Sequence, residues 1–263
     1  MPVEPSSLQN TFKAALLEKR QQIGLWSCLA SNIVSEAIAG SGFDWILLDC
    51  EHSPNEIAGL VPHLQAMMKG TAEPIVRVAW NDFVLIKRIL DLGVRTLLVP
   101  YIQSAEEARR AVAATRYPPE GIRGVATGTR AARYGRDANY LRTSNSEMCV
   151  LLQIETRAAL GQLEAIAAVE GVDGIFIGPS DLSTDMGYRG NARNPEVQAA
   201  IADACARIRG AGKAAGFLTS DPVDAAQKLE MGFTFVAVGT DLRVLVRGCD
   251  ALAAQFKTKA AKA

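Results

Sequence analysis

The chain has 263 residues, is 49% hydrophobic, and carries 28 Lys plus Arg against 28 Asp plus Glu, so its formal net charge is zero. A neutral balance gives no field to gather nucleic acid or an anionic membrane, and the Arg123, Arg130, Arg133, Arg136 group is broken by Gly, Ala and Thr rather than forming a basic stripe. The five Cys (Cys28, Cys50, Cys149, Cys205, Cys249) stand far apart with no Cys-x-x-Cys pair, which argues against a disulfide framework or thiolate zinc site and for small thiols in a reducing compartment.

The opening Met1-Pro-Val-Glu-Pro-Ser-Ser7 has no basic region followed by an apolar core, so no signal peptide is expected. No apolar run approaches the ~18 residues of a membrane span, and a soluble, cytoplasmic protein is expected. A helix is predicted over Leu8–Arg20. Strands follow at Gly24–Leu29 and Asp44–Asp49, then a helix over Asn55–Lys69 that ends at Gly70. Strand three, Pro74–Val78, leads to a helix over Asp82–Leu92, closed by Gly93. Strand four, Arg95–Pro100, leads to Ser104–Ala114, whose Ser-Ala-Glu-Glu opening combines an N-cap with an acidic first turn. Gly121–Arg136 is rich in Gly, Arg and Thr without a clear period and reads as a long functional loop. Strand five is Cys149–Glu155, with a helix over Thr156–Val169. Strand six is Gly174–Gly178, followed by the helix Pro195–Arg209 with Pro in its first turn. Strand seven is Ala214–Thr219, then the helix Asp221–Glu230. Strand eight is Phe233–Gly239, and the helix Asp241–Phe256 closes the pattern. Lys257–Ala263 is a Lys/Ala-rich tail predicted to fray.

Each strand run is continuous rather than alternating, as expected for parallel strands buried on both faces. Eight such runs with helices between them match the length and count of a (β/α)8 TIM barrel formed by residues 1–256 as a single domain. An open doubly wound sheet is the alternative, but no Gly-x-Gly-x-x-Gly turn follows the first strand.

Barrel catalytic groups gather at the C-terminal strand ends. Those ends deliver Asp49, Glu51 and His52 from strand two, Arg77 from strand three, and Gln153 and Glu155 from strand five. Strand six runs into Gly178-Pro-Ser-Asp181, and strand eight into Gly239-Thr-Asp241. His52 is one of only two His, and a group titrating near neutrality beside carboxylates is a candidate acid/base; a surface loop residue is the competing reading. Glu155 and Asp181 suit a hard divalent ion such as Mg²⁺ or Mn²⁺. Equally, Glu155 could pair with Arg77 and Asp181 could cap a helix. Arg77, inside a buried run, needs an anionic partner, either a carboxylate or a substrate oxyanion. Gly178-Pro-Ser-Asp could present backbone N–H groups to a carboxylate. His63 reads as a helix-surface or packing residue. Trp26 and Trp45 read as core, with Trp26 a candidate for the pocket mouth, and Asp91 as a solvated helix-end residue. No strand-end Lys is found, which argues against Schiff-base chemistry.

In order along Gln9–Phe256, the segments Phe43-Asp-Trp, Asp49-Cys-Glu-His-Ser-Pro-Asn55, Val76-Arg77, Arg116-Tyr-Pro-Pro-Glu-Gly-Ile-Arg-Gly124, Gln153-Ile-Glu155, Gly171-Val-Asp-Gly-Ile-Phe-Ile-Gly-Pro-Ser-Asp-Leu-Ser183 and Phe235-Val-Ala-Val-Gly239 resemble the HpcH/HpaI family of class II, metal-dependent pyruvate aldolases. The resemblance implies a TIM barrel whose C-terminal helix swaps between subunits, in a homo-oligomer, commonly a hexamer built as a trimer of dimers. It implies reversible cleavage of a 4-hydroxy-2-oxo acid to pyruvate and an aldehyde through a metal-stabilised enolate. By the same resemblance Glu155 and Asp181 would ligate the divalent metal (Mg²⁺, Mn²⁺ or Co²⁺) and Arg77 would bind the C2 oxygen. His52 would be the acid/base, assisted by Asp91 and Asp49. Gln153, the backbone around Ser180 and Asp181, and the pocket residues Trp26, Leu218 and Thr240 would contact substrate. Arg123 and Tyr134 are candidates for gripping a distal carboxylate or hydroxyl or, as loop residues, for stabilising only the loop or a subunit contact.

The expected substrate is 4-hydroxy-2-oxoheptanedioate, because Trp80-Asn-Asp, Leu97-Leu-Val-Pro and Asp185-Met-Gly-Tyr188 resemble the heptanedioate-cleaving branch of the family, although Phe12-Lys-Ala-Ala-Leu and Pro118-Pro-Glu-Gly resemble the sugar-acid branch about as well. Sugar-acid substrates (2-dehydro-3-deoxyglucarate or 2-keto-3-deoxy-rhamnonate) and an oxo-diacid lyase or decarboxylase reaction are the alternatives. A catalytically silent relative would lack one of His52, Arg77, Glu155 or Asp181, and all four are present. Cys50 stands where relatives usually have Gly; it would be strained there if that position needed positive φ.

Overall fold

The computed structural model describes residues 9–260, with side chains through residue 257. In chain order the elements are α1 (Thr11–Leu17), β1 (Gln22–Ser27), α2 (Asn32–Ala39), β2 (Trp45–Asp49), α3 (Ile57–Met67), β3 (Glu73–Arg77), α4 (Phe83–Asp91), β4 (Thr96–Val99), α5 (Ala105–Thr115), α6 (Tyr140–Glu147), β5 (Cys149–Ile154), α7 (Arg157–Leu160), α8 (Leu163–Ala167), β6 (Gly174–Ile177), α9 (Pro179–Asp185), α10 (Pro195–Gly210), β7 (Ala214–Leu218), α11 (Pro222–Met231), β8 (Phe235–Thr240) and α12 (Asp241–Ala260). The eight strands pair in parallel, each with its sequence neighbour, and β8 returns to β1 to close the barrel. The doubly wound alternative is thereby excluded, and the (β/α)8 expectation holds.

The sequence pattern and the structure differ at several helices. The single helix predicted over Thr156–Val169 is two short ones, α7 and α8, because the chain turns at Gly161 and Gln162. Helices α2, α6 and α9 are too short to show a sustained period. Each of α2, α4, α5, α10 and α11 begins at a Ser, Asp or Asn whose side chain accepts an N–H of the first turn. Gly121–Arg136 is irregular apart from a tight turn at Arg133–Gly135, where all three residues have positive φ. The predicted first helix starts at Thr11; Leu8 lies outside the described residues. Helix α12 runs on through Ala260, and residues 261–263 are outside the described ones.

Strand parity divides the core in two. Outward positions such as Ile46, Leu48, Val76, Leu97 and Leu152 pack under the helices. Inward positions, including Trp26, Trp45, Leu47, Ile75, Leu98, Leu151, Phe176 and Phe235, fill the barrel. Helix α1 stops the floor: Phe12 meets Trp45 and Phe235 edge-on, with ring centroids 6.1 and 5.8 Å apart. Gly24 makes room for this plug, since a Cβ there would sit 2.1 Å from the Trp45 ring. With the lower barrel packed by apolar rings, the inward positions left for polar side chains are those at the C-terminal strand ends.

Candidate active site at the C-terminal rim

The inward parity carries Trp45 and Leu47 on to Asp49, Ile75 on to Arg77, and Leu151 on to Gln153 and Glu155. The β2–β3 register sets Asp49 directly beside Arg77. Arg77 donates from Nε to Asp49 Oδ1 (2.8 Å) and from Nη2 to Oδ2 (2.7 Å), a bidentate clamp. Its Nη1 lies 2.8 Å from Glu51 Oε2, and the guanidinium sits 4.9 Å over the Trp26 ring. Trp26 Nε1–H donates to Asp49 Oδ2 at 3.3 Å, so Trp26 packs in the core and also holds the clamp. Burial opposes ionisation of Asp49, but the bonds and charge of Arg77 outweigh it and hold that carboxyl below its ordinary range.

The same aspartate organises the turn that bears His52. Asp49 Oδ1 accepts the N–H groups of Glu51 (3.0 Å) and His52 (3.4 Å). Its carbonyl accepts the Ser53 hydroxyl and the Asn55 amide. The His52 ring is left 66% exposed, with Nε2 3.9 Å from Glu51 Oε2. Cys50 adopts an ordinary negative φ and its N–H donates to Arg77 O at 3.0 Å, so a side chain there carries no backbone strain. Burial, with the Asp49 charge, pushes the Cys28 and Cys50 thiols up to about 12, which leaves both protonated near neutral pH and poor nucleophiles.

Across the rim, Glu155 is buried, and among the described residues no cation forms an ion pair with it. Arg77 is committed to Asp49 and Glu51, so the Glu155–Arg77 ion pair considered from the sequence is not made. Glu155 Oε1 accepts the Tyr101 N–H (3.0 Å) and Oε2 accepts the Gln153 amide (2.5 Å). Burial pushes its carboxyl up to about 7, against those two bonds and with added repulsion from Asp181 and Glu51. Burial likewise raises Glu51, countered by Arg77 and His52 and reinforced by Asp49 and Asp181. Asp181 lies in the first turn of α9, whose N-cap is Gly178 with no side-chain cap bond, so Asp181 is not the helix cap either. Gly178 is the bare inward position beside it: a Cβ would meet Glu155 Oε2 at 2.5 Å and the Gln153 amide nitrogen at 3.1 Å. Gln153 Oε1 is buried without a hydrogen-bond partner.

These features fit a hard cation. Three carboxylates repel one another at one place, an amide oxygen is unsatisfied, and a glycine keeps the space open. Among the described residues no three His, Cys, Asp or Glu converge as a complete cage. Two carboxylates with the remaining positions left to water and substrate oxygens is the usual arrangement for Mg²⁺-like ions.

Other sequence candidates are placed differently. Leu218 is the last residue of β7, at inward parity and half-buried, and Thr240 ends β8 with its hydroxyl accepting the Arg243 N–H. Ser180 is exposed on α9 and its carbonyl accepts the Ser183 and Thr184 hydroxyls. Asp241 is a buried tie, accepting from Ser27 Oγ and the Cys28 and Leu29 N–H groups. Asp91 is not brought to His52 within this chain. It lies at the end of α4 away from the rim and accepts from Arg123 Nη2 at 3.0 Å. Arg123 itself is fully buried against Tyr117 and Tyr140, while Tyr134 is exposed. His63 is buried and hydrogen-bonded to Ser35, a packing residue. Sequence reasoning missed the bond from Tyr101 to Glu155, and no local signal in Val99-Pro-Tyr101 announces it. It also missed that Glu51 would share Arg77, although its place two residues beyond Asp49 was a pointer.

Grooves of about 480 and 420 Å³ lie between α5 and α8 and beneath the barrel floor, away from this rim. Convergent charge, not volume, distinguishes the rim. The HpcH/HpaI aldolase/citrate lyase family model matches residues 22–248. A pyruvate aldolase of Rhizobium etli is 55% identical over 95% of this chain and 98% of its own length. An Escherichia coli 4-hydroxy-2-oxo-heptane-1,7-dioate aldolase is 54% identical over 96% and 97%. The crystal structure of a HpcH/HpaI aldolase/citrate lyase family protein from Burkholderia cenocepacia superposes with a TM-score of 0.92 at 36% identity, covering 95% of this chain and all of that one. With a family model matched over residues 22–248 and relatives 54–55% identical over nearly their whole length, the chain belongs to the HpcH/HpaI aldolase/citrate lyase family.

Proposed function

We propose that this protein is a metal-dependent pyruvate aldolase whose substrate is 4-hydroxy-2-oxoheptane-1,7-dioate. The observation that carries the chemistry is the placement at one rim of a fixed guanidinium, Arg77, beside two carboxylates, Glu155 and Asp181, that form no ion pair among the described residues. The substrate follows from the activity for which relatives such as the Escherichia coli enzyme are named.

A divalent ion (Mg²⁺, Mn²⁺ or Co²⁺) bound by Glu155 and Asp181 would supply Lewis-acid stabilisation of the charge that develops on the C2 oxygen. Arg77, immobilised by Asp49, orients the 2-oxo acid and donates to that oxygen. His52 accepts the C4 hydroxyl proton as the C3–C4 bond breaks and the electron pair moves into the pyruvate unit. It then returns a proton to C3, releasing pyruvate and the aldehyde. Asp49 fixes both Arg77 and the His52 turn, and Gln153 holds Glu155. The N-terminal turn of α9 around Ser180 and Asp181 holds the substrate carboxylate. Trp26, Leu218 and Thr240 border the bound acid.

Helix α12 exposes Leu242, Val244, Leu245, Val246, Leu252 and Phe256, each 46–64% accessible. So apolar a surface on a 20-residue helix supports its exchange between copies of the chain in a homo-oligomer, a hexamer of three swapped dimers. Asp91 would act with His52 only across such a contact. Among the described residues no helix is long and apolar enough to cross a membrane.

The test is pyruvate release from a panel of 4-hydroxy-2-oxo acids, with and without chelator. The heptanedioate should be cleaved with the highest kcat/KM, chelation should abolish release, and Mg²⁺, Mn²⁺ or Co²⁺ should restore it. Full activity after exhaustive metal removal overturns the mechanism, and preference for a sugar acid overturns the substrate.

A further inference from the structure

Tyr101, just beyond the C-terminal end of β4, has an unusual backbone for an aromatic residue. Its φ is +56°, the left-handed region that an aromatic L-residue rarely enters. Such conformations persist where the surrounding structure requires them. Pro100 precedes it and has no N–H, so the Tyr101 N–H is the first donor beyond β4. That N–H reaches Glu155 Oε1 at 3.0 Å, and the next, from Ile102, reaches Gln153 O at 3.0 Å. In an extended segment two consecutive N–H groups point to opposite sides. The left-handed turn aims both at β5, one at the side chain of Glu155 and one at the backbone two residues before it.

The ring end of Tyr101 is held separately. It stacks on Trp80 from the β3–α4 connection, with centroids 6.0 Å apart and planes 28° from parallel. Both rings are substantially exposed, 43% for Tyr101 and 54% for Trp80, so the stack is a brace on the rim surface rather than part of the core. Gln103 extends the attachment, accepting the Thr156 hydroxyl at 2.7 Å.

We propose that Tyr101 is a positioning residue: its left-handed backbone aims an N–H at Glu155 Oε1 and so orients that carboxylate toward the cation, while the Trp80 stack secures the turn. This rests on the reading of Glu155 as a metal ligand. The backbone conformation acts on the carboxylate, and the phenol ring acts only as its fastener.

A substitution series separates the two. Glycine and asparagine enter the left-handed region readily, alanine less so, and valine hardly at all. Mn²⁺ affinity is measured on the full chain by electron paramagnetic resonance of free Mn²⁺, with circular dichroism to verify folding. Tyr101→Gly and Tyr101→Asn should bind within about threefold of the parent protein. Tyr101→Val should bind at least about tenfold more weakly, with Tyr101→Ala between, and Trp80→Ala should weaken binding less than Tyr101→Val. If valine proves unfolded, the order of glycine above alanine carries the same test. Equal affinity across the series overturns the proposal, as does a loss in Tyr101→Gly as large as in the alanine and valine variants. Glu155→Gln is the control: if it binds Mn²⁺ as the parent does, the metal reading itself fails and not merely the role of Tyr101.

Discussion

The two ends of the barrel both bury carboxylates, but they treat them differently. At the floor, Glu73 receives two bonds from Arg95 at 3.0 and 3.1 Å. Asp173 receives the Val150 N–H and lies 3.5 Å from Lys13. Asn10 ties α1 to Thr96 and to the Glu147 carbonyl. At the rim one guanidinium serves Asp49 and Glu51; Glu155 keeps two hydrogen bonds, the exposed Asp181 stands near it, and among the described residues neither has an ion-pair partner. Paired charge at the floor closes the fold around the apolar plug. Unpaired charge at the rim is costly to keep and has a use only if something outside the chain neutralises it.

This contrast is broken most forcefully through His52. His52→Ala should lower turnover by roughly two to four orders of magnitude, the usual share of a general acid/base. Because its ring is exposed, the thermal midpoint should hardly move. The floor should respond the other way. Arg95→Met strands the buried Glu73 and should cost about 3 kcal/mol in denaturant unfolding, while kcat stays within about twofold. A rim substitution that unfolds the protein, or a floor substitution that abolishes turnover, would erase the distinction.

A smaller effect sharpens it through pH. The Glu155 carboxyl has an ordinary value of 4.5 and is pushed to about 7 in the folded chain, chiefly by burial. A raised carboxyl means that ionisation opposes folding: the cost is absent below about pH 4.5 and complete above about pH 7. The interval corresponds to about 3 kcal/mol at most. The metal-free Glu155→Gln protein should therefore be more stable than the metal-free parent at pH 8 and no more stable at pH 4.5. A difference independent of pH would mean that the Glu155 charge is already neutralised within the chain.

Much of this division was legible in the amino-acid order. The continuous apolar runs located all eight strands to within a residue or two, because a strand buried on both faces has no polar position to blur its ends. Arg77, Gln153 and Glu155 could be placed at the rim because each is the polar end of an apolar run. Their partners were not legible. The choice of Asp49 and Glu51 over Glu155 by Arg77 depends on the β2–β3 register, which joins residues 28 positions apart. The left-handed turn at Tyr101 is set by what it must reach on β5, and tyrosine itself has no preference that betrays it. Helix α9 escaped notice because seven residues are too few for a period. Arg123, a candidate either for a distal substrate group or for stabilising its loop, is buried against two tyrosines where the loop folds back on α6, which is the second of those places.

If the mechanism holds, the uncompensated carboxylates of the rim bind one divalent cation. The most direct test of this is a calorimetric Mn²⁺ titration of the metal-free protein at pH 8, set beside Glu155→Gln at the rim and Glu73→Gln at the floor. The predicted result is one site per chain, lost or weakened at least about a hundredfold by Glu155→Gln and unchanged by Glu73→Gln. Unaltered Mn²⁺ affinity in Glu155→Gln, or equal losses at both ends of the barrel, would contradict it.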